Sequence, residues 1–186
     1  IQIFTMDKSG QLTVVDSFFD DVSLALGTAS AIKKIVVGGE TFLAVTGQSN
    51  GAGISILKVE EDGTLTETDT VFDDVATFLS DSVDLATAKV GGKTFVFVPS
   101  GFFDDAITIF ELSANGELTE IDAIIDNADL ALNGADEVRT VKIDGTSFLV
   151  VAGTSDSGLS VFEIQNDGTL ENTDNVFDDG TLELSS

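Results

Sequence analysis

An all-β fold assembled from one repeated four-stranded unit is what this sequence predicts, and three observations predict it. A twelve-residue segment occurs four times, as "IQIFTMDKSGQL" at 1–12, "ISILKVEEDGTL" at 54–65, "ITIFELSANGEL" at 107–118 and "LSVFEIQNDGTL" at 159–170. Its turn glycines, Gly10, Gly63, Gly116 and Gly168, are spaced by 53, 53 and 52 residues, and a fixed period of this size marks a repeat architecture. Within each period the apolar residues either alternate or run continuously over strand-sized segments, and no stretch carries the helical period. Tight turns such as "GGKT" and "ANGE" separate those segments.

Taken in order, the elements of one period differ in polarity. "SVDLATAKV" (82–90) alternates, "TFVFV" (94–98) is continuously apolar, and "AITIFEL" (106–112) is largely apolar. The fourth segment, seen as "LTETDTV" (65–71), is mostly polar. A strand apolar on both sides must be covered on both faces, whereas a strand rich in Thr and Asp suits an exposed edge. Four-stranded antiparallel sheets stacked face to face around an axis meet both demands, so the expected fold is a β-propeller. A β-solenoid coil is shorter than this period, and an immunoglobulin-like unit needs about seven strands and about 100 residues.

The expected blades of this single propeller segment run over about 29–71, 82–124 and 135–176, after a half blade at 1–18 and before a tail at 177–186. Within the second period the strands are expected at Ser82–Val90, Thr94–Val98, Ala106–Leu112 and Leu118–Ile124. The one-residue deletion falls in a loop after Phe148: Phe42 to Ile54 and Phe95 to Ile107 span twelve residues, Phe148 to Leu159 eleven. Phe42, Phe95 and Phe148 are therefore expected at equivalent buried positions between blades. Fourteen strands make three and a half blades, and propellers need at least four. The expected partners are accordingly further repeats of a longer protein, or other copies, that complete the ring.

Charge narrows the function classes. Thirty-three acidic residues face eight basic ones, a formal net charge of −25, and Arg139 is the sole arginine. Nucleic acid, bound mainly through basic contacts to phosphate, is excluded as a partner, and anionic membrane surfaces are disfavoured. No apolar run reaches the length of a membrane span. The acidity reads either as solubility or high-salt adaptation, or as a demand for cations as counter-charges. With neither Cys nor His, the chain has no thiolate nucleophile, no disulfide and none of the usual general base.

The "I-x-I-F" strand, the "D-G-x-L" turn, the polar strand and the "V-G-G-x-T-F-x-F-V" segment resemble the lactonase-type propellers related to 6-phosphogluconolactonase. They are more similar still to acidic tandem repeats in large secreted proteins of marine bacteria, described as calcium-binding. The resemblance covers the whole chain and rests on structural residues. It implies a secreted or cell-surface setting, with Ca²⁺ as the expected cation. It also implies that "SVDLATAKV" is the innermost strand of its blade and "LTETDTV" the outermost.

On that strand order two sets of loops emerge on one face, and both carry acids. Asp20, Asp73, Asp126 and Asp178 recur at one position, followed by Asp21, Asp74, Asn127 and Asp179. The loops between the two middle strands add Asp104, Asp105 and Asp156. Carboxylates are hard-oxygen donors suited to Ca²⁺, and Asp20, Asp21, Asp73, Asp74, Asp104, Asp105, Asp126, Asp178 and Asp179 are the candidate metal ligands. The same residues equally satisfy loop amides through Asx-type turns. Neither an EF-hand loop nor a "G-G-x-G-x-D" nonapeptide is present. A second periodic acid, Asp16, Asp69, Asp122 and Asp174, lies in the polar strand and reads as protection of an exposed edge.

Lactonase-like propellers bind an anionic sugar acid with basic and acidic side chains at the axial mouth. In this chain Arg139 is available, with Lys33, Lys89 and Lys142 on or near inner strands. No phosphate loop, nucleophile–base pair or cofactor fingerprint accompanies them, so no catalytic residue is assigned. The sequence therefore points to a non-enzymatic extracellular structural or interaction module, calcium-stabilised and with a protein or glycan partner. The alternative is a lactonase-like hydrolase on the same fold.

Overall fold

A computed structural model describes residues 1–48 and 51–180. Every regular element among them is a β-strand. β1 (Gln2–Met6) and β2 (Leu12–Ser17) form a two-stranded sheet. β3 (Ala29–Val37), β4 (Glu40–Gly47), β5 (Gly53–Val59) and β6 (Leu65–Phe72) form the first four-stranded sheet, in chain order. The second contains β7 (Ala86–Val90), β8 (Lys93–Ser100), β9 (Ala106–Leu112) and β10 (Leu118–Ile125). The third contains β11 (Ala135–Ile143), β12 (Thr146–Gly153), β13 (Gly158–Ile164) and β14 (Leu170–Phe177). All pairings are antiparallel. The described residues form an arc of three and a half propeller blades, as the repeat foretells. Of the tail expected over 177–186, residues 181–186 lie outside the described residues.

Local chemistry accounts for the meander. The first hairpin of each blade turns on two residues, Gly38-Gly39, Gly91-Gly92 and Asp144-Gly145, all with positive φ. Two successive left-handed residues make the turn whose twist suits adjacent antiparallel strands. The last two strands of each blade share a second device, a one-residue slip in pairing that falls at Val15, Thr68, Ile121 and Thr173. Each of these β-bulge residues stands just before or next to the periodic Asp of the outer strand.

Blades stack through strands that are apolar on both sides. In β8, Val96 and Val98 pack toward the first blade, with Phe42 and Ile54. Phe95 and Phe97 point the other way, into a layer with Leu149 and Val151 of the third blade. A smaller layer joins the half blade to the first blade through Leu24, Val45 and Leu57. Alternation of side chains across β8 thus splits one continuous apolar run between two cores.

Two turn glycines of the repeat, Gly116 and Gly168, sit directly against a ring of the preceding blade. Gly116 has φ +83°, and a Cβ placed there would lie 2.5 Å from Cε1 of Phe42 in the preceding blade. Gly168 has φ +95°, and its Cβ would lie 2.4 Å from Cε1 of Phe95. Phe42 and Phe95 are fully buried as expected. Phe148 is only half-buried, because its flank of the third blade meets no further blade among the described residues. Gly10, at the same turn position of the half blade, is exposed with open space around it.

Polar brackets reinforce this contact. The N–H of Leu118 donates to Asp69 Oδ2 of the preceding blade at 2.7 Å, and that of Leu65 to Asp16 Oδ2 at 3.1 Å. The other oxygen of each carboxylate accepts the N–H of the following residue, Thr70 or Ser17. Thr68, the bulge residue, donates its hydroxyl to Gly116 O at 2.9 Å. The periodic acid therefore does more than protect an edge: in Asp16 and Asp69 it fastens one blade to the next.

One element departs from expectation. The inner strand of the second blade spans Ala86–Val90 rather than Ser82–Val90. Its pairing with β8 ends at Phe97, just before Pro99, which brings no N–H to a ladder. Residues 82–85 join the preceding loop, where the Ser82 hydroxyl donates to Leu79 O and the Ser100 hydroxyl to Ser80 O.

Two substitution pairs test the blade contact by urea unfolding. Phe95→Ala is expected to cost about 3–5 kcal/mol, and Phe148→Ala distinctly less. Gly168→Ala is expected to cost about 2 kcal/mol more than Gly10→Ala, which carries left-handed strain alone. Equal costs within either pair would contradict the interlock.

Candidate functional site

Antiparallel strands alternate in direction, so the loops after the second and fourth strands of each blade share one end of the arc. The glycine turns occupy the other end. Side-chain bonds between the two loop types confirm the arrangement: Ser80 N–H donates to Asp104 Oδ2 at 2.9 Å, Gly134 N–H to Asp105 Oδ1 at 2.9 Å, and Asn133 N–H to Asp156 Oδ2 at 3.0 Å. Two buried hydroxyls at one repeat position anchor the loops from below, Ser55 accepting from Ala25 N–H and Ser160 from Ala131 N–H.

The remaining acids of this end are held in the same manner. Asp73 Oδ1 accepts from Leu79 N–H at 2.8 Å, and Asp126 Oδ1 from Leu132 N–H at 3.2 Å, each closing its own blade-to-blade loop. Asp21 accepts from the N–H and hydroxyl of Ser23, at 2.8 and 2.7 Å. Asp74 accepts from Ala76 and Thr77 N–H, at 2.8 and 3.0 Å, and Asp178 from Gly180 N–H at 2.8 Å. Asp20 and Asp179 are exposed. The structure thus gathers every candidate ligand on one end face. Among the described residues, no three carboxylates converge closely enough to hold one ion.

Electrostatics differ across the face. Burial pushes the Asp126 carboxyl above the usual carboxylate range, and the charges of Asp156 and Asp105 push the same way, against the Leu132 N–H. Asp21 is held below that range by the Ser23 hydroxyl and N–H, and Asp74 by the Ala76 and Thr77 N–H groups. Between the inner strands, Thr87, Lys89, Thr140, Lys142 and Ser147 line a groove of about 230 Å³. Arg139, outside that lining, pairs with Asp84 of the β6–β7 loop, and Val138 N–H donates to the same Asp84 oxygen at 3.0 Å.

One feature of this face escaped the sequence reading. Phe102 and Phe103, in the β8–β9 loop, are exposed and stand edge to face with ring centroids 5.3 Å apart. The signal was available, since the equivalent loops, "QSNGA" (48–52) and "TSDS" (154–157), carry no aromatic residue.

Stacked four-stranded blades, bulged outer strands and loops gathered at one end define a β-propeller segment. No protein-family model matches the chain, and no curated protein matches it in sequence. Solved structures do. A protein from Lactobacillus plantarum matches 95% of this chain over 50% of its own, with TM-score 0.63 and 16% identity. The exo-β-1,3-galactanase of Phanerochaete chrysosporium with galactose gives TM-score 0.55 and 10% identity, covering 95% of this chain and 43% of the enzyme. A GH43_1 enzyme of Xanthomonas citri complexed with xylose gives TM-score 0.55 and 13% identity, covering 82% and 56%. At such identities the likeness shows the fold. The chain spans about half the length of these propellers, which places it as a partial propeller.

The two kinds of carboxylate respond to pH with opposite sign. The folded state holds the proton of Asp126 more tightly than the unfolded chain does, so its charged form destabilises the fold above the raised pKa. Asp126→Asn, which keeps an oxygen for Leu132 N–H, is expected to melt higher than the parent at pH 7. That advantage should vanish below about pH 3.9, where Asp is protonated in either state. Asp74 is stabilising above the usual range and ceases to be as pH falls through its lowered pKa. Asp74→Ala should therefore lower the melting temperature at pH 7 and not in acid. Differences independent of pH would refute the assignment.

Proposed function

We propose that this chain belongs to a non-enzymatic, secreted or cell-surface β-propeller that acts as a structural and interaction module within a larger repeat protein or assembly. The observation that carries the reading is the bonding of the acidic face. Most of its carboxylates accept hydrogen bonds from loop N–H groups of their own or the adjoining loop, which is the task of turn acids in a framework. Coverage of half of each similar propeller supports further blades beside these. The absence of Cys and the net charge of −25 fit an extracellular setting.

Calcium is the proposed stabilising cation, because carboxylates are hard-oxygen donors suited to it and one end face gathers Asp20, Asp21, Asp73, Asp74, Asp104, Asp105, Asp126, Asp178 and Asp179. Millimolar Ca²⁺ is expected to raise the melting temperature, chelator to reverse the gain, and Mg²⁺ to substitute poorly. Equal effects of Ca²⁺, Mg²⁺ and NaCl of matched ionic strength would reduce the effect to screening.

A lactonase-like hydrolase is the second reading, and one observation favours it: Lys89 and Lys142 together line the groove between the inner strands. Titration of proton release from a sugar-acid lactone separates the two readings. The module reading expects the uncatalysed rate. Hydrolysis that is lost in Lys142→Ala while the fold persists would replace it with the hydrolase.

A further inference from the structure

We propose that the acidic end face, centred on Phe102 and Phe103, is a docking surface for a cationic amphipathic polypeptide segment in which Lys or Arg alternates with apolar side chains. The inference deepens the module reading, on which it rests, by naming a face and a class of partner.

The aromatic pair has no structural task. Phe102 and Phe103 are 76% and 72% exposed, in a chain that buries Phe42, Phe95, Phe97, Phe110 and Phe162 completely. Residues that serve the fold recur with the repeat, and these two do not. The Phe103 N–H donates to Gly101 O at 2.6 Å, closing a three-residue turn on Phe102 at φ +51°. That conformation is unfavourable for a bulky side chain, and here it presents a ring to solvent. Asp104 and Asp105, bonded to Ser80 and Gly134, fix the loop against the blade-to-blade loops on either side.

Other apolar side chains are exposed in loops of the same end. Phe19 and Val22 lie in the β2–β3 loop and Val75 in the β6–β7 loop, with exposures of 79%, 99% and 97%. Large exposed apolar side chains gathered on one face of a soluble domain mark an interaction site.

Charge selects the occupant. The described loops of this end contain thirteen aspartates and no Lys or Arg. The bases of the chain lie on strands or toward the glycine turns, as with Lys58 beside Glu40 and Lys93 beside Glu111. A second copy of this chain, a nucleic acid or an anionic lipid surface would be repelled. A neutral glycan stacks on Phe and donates hydroxyls to the carboxylates, but leaves their charge uncompensated. A segment with cations between apolar side chains satisfies both features, its cations meeting the Asp side chains and the faces of the Phe rings.

The test is amide chemical-shift mapping on the full chain, at about 150 mM NaCl, with three capped peptides: alternating Lys and Leu, alternating Gln and Leu, and Lys alone. The Lys–Leu peptide is expected to bind tightest and to shift Val22, Val75, Phe102 and Phe103. Phe102→Gly with Phe103→Ser, in which glycine suits the positive φ, is expected to weaken that peptide about tenfold and the Lys peptide only about twofold. Val75→Ser, away from the strained turn, should weaken it about twofold and serves if the double variant misfolds. Shifts centred on the glycine-turn end, equal binding of the Gln–Leu peptide, unchanged affinity in the variants, or a response to neutral oligosaccharide alone would each overturn the proposal. None of those results touches the module reading, which lactone hydrolysis decides separately.

Discussion

The contact on which this molecule depends is the seating of a phenylalanine from one blade beneath a left-handed glycine of the next. Phe42 under Gly116 and Phe95 under Gly168 set how closely the sheets approach. The conserved geometry of the rest follows from that distance. A side chain at either glycine would force the blades apart and strain the backbone together, so the ring and the glycine act as one unit. The carboxylates of Asp16 and Asp69 lock the same turns from the side, supplying an acceptor for the N–H groups of Leu65 and Leu118 at the start of the next outer strand.

With the blades held at fixed spacing, their loops are brought to one end at fixed spacing too. There the chain meets a problem of its own making, because negative charges concentrate where backbone N–H groups need acceptors. Each solves the other in part. Asp73, Asp104, Asp105, Asp126 and Asp156 take N–H donors from their own or neighbouring loops, and the loops gain rigidity. Where burial adds to crowding, as at Asp126, the charge remains a net burden on the fold. Where several donors converge on an exposed group, as at Asp74, it is a net support.

A repeat protein also allows function to be separated from framework by a simple physical criterion. Side chains that hold the stack must recur, since each blade faces the same neighbour geometry. Departures from the period are then free of that duty. Phe102 and Phe103 depart from it in a costly way, exposing two rings and placing one in a left-handed conformation. Their loop is bonded through Asp104 and Asp105 to the acid-bearing loops on either side, and that setting is what the proposed docking surface rests on.

Much of the fold was legible in the sequence because its determinants are local and repeated. The period placed fourteen strands, the polarity gradient ordered them within each blade, and the glycine turns fixed the hairpins. Such signals survive in one dimension because alternation and turn chemistry are properties of neighbouring residues. The acid-bearing end was legible through the strand order that the resemblance to lactonase-type propellers implies. What the tertiary structure decided lies between blades. Nothing in "LTETDTV" told that Asp69 reaches forward to Leu118, or that Phe42 needs Gly116, 74 positions away, to be glycine. The inner strand of the second blade began at Ala86 because serine hydroxyls and Pro99 competed with the ladder, a balance of long-range bonds. Whether a Phe is buried depends on what stacks against it: Phe95 is enclosed by a third blade, while Phe148, at the same repeat position, is not.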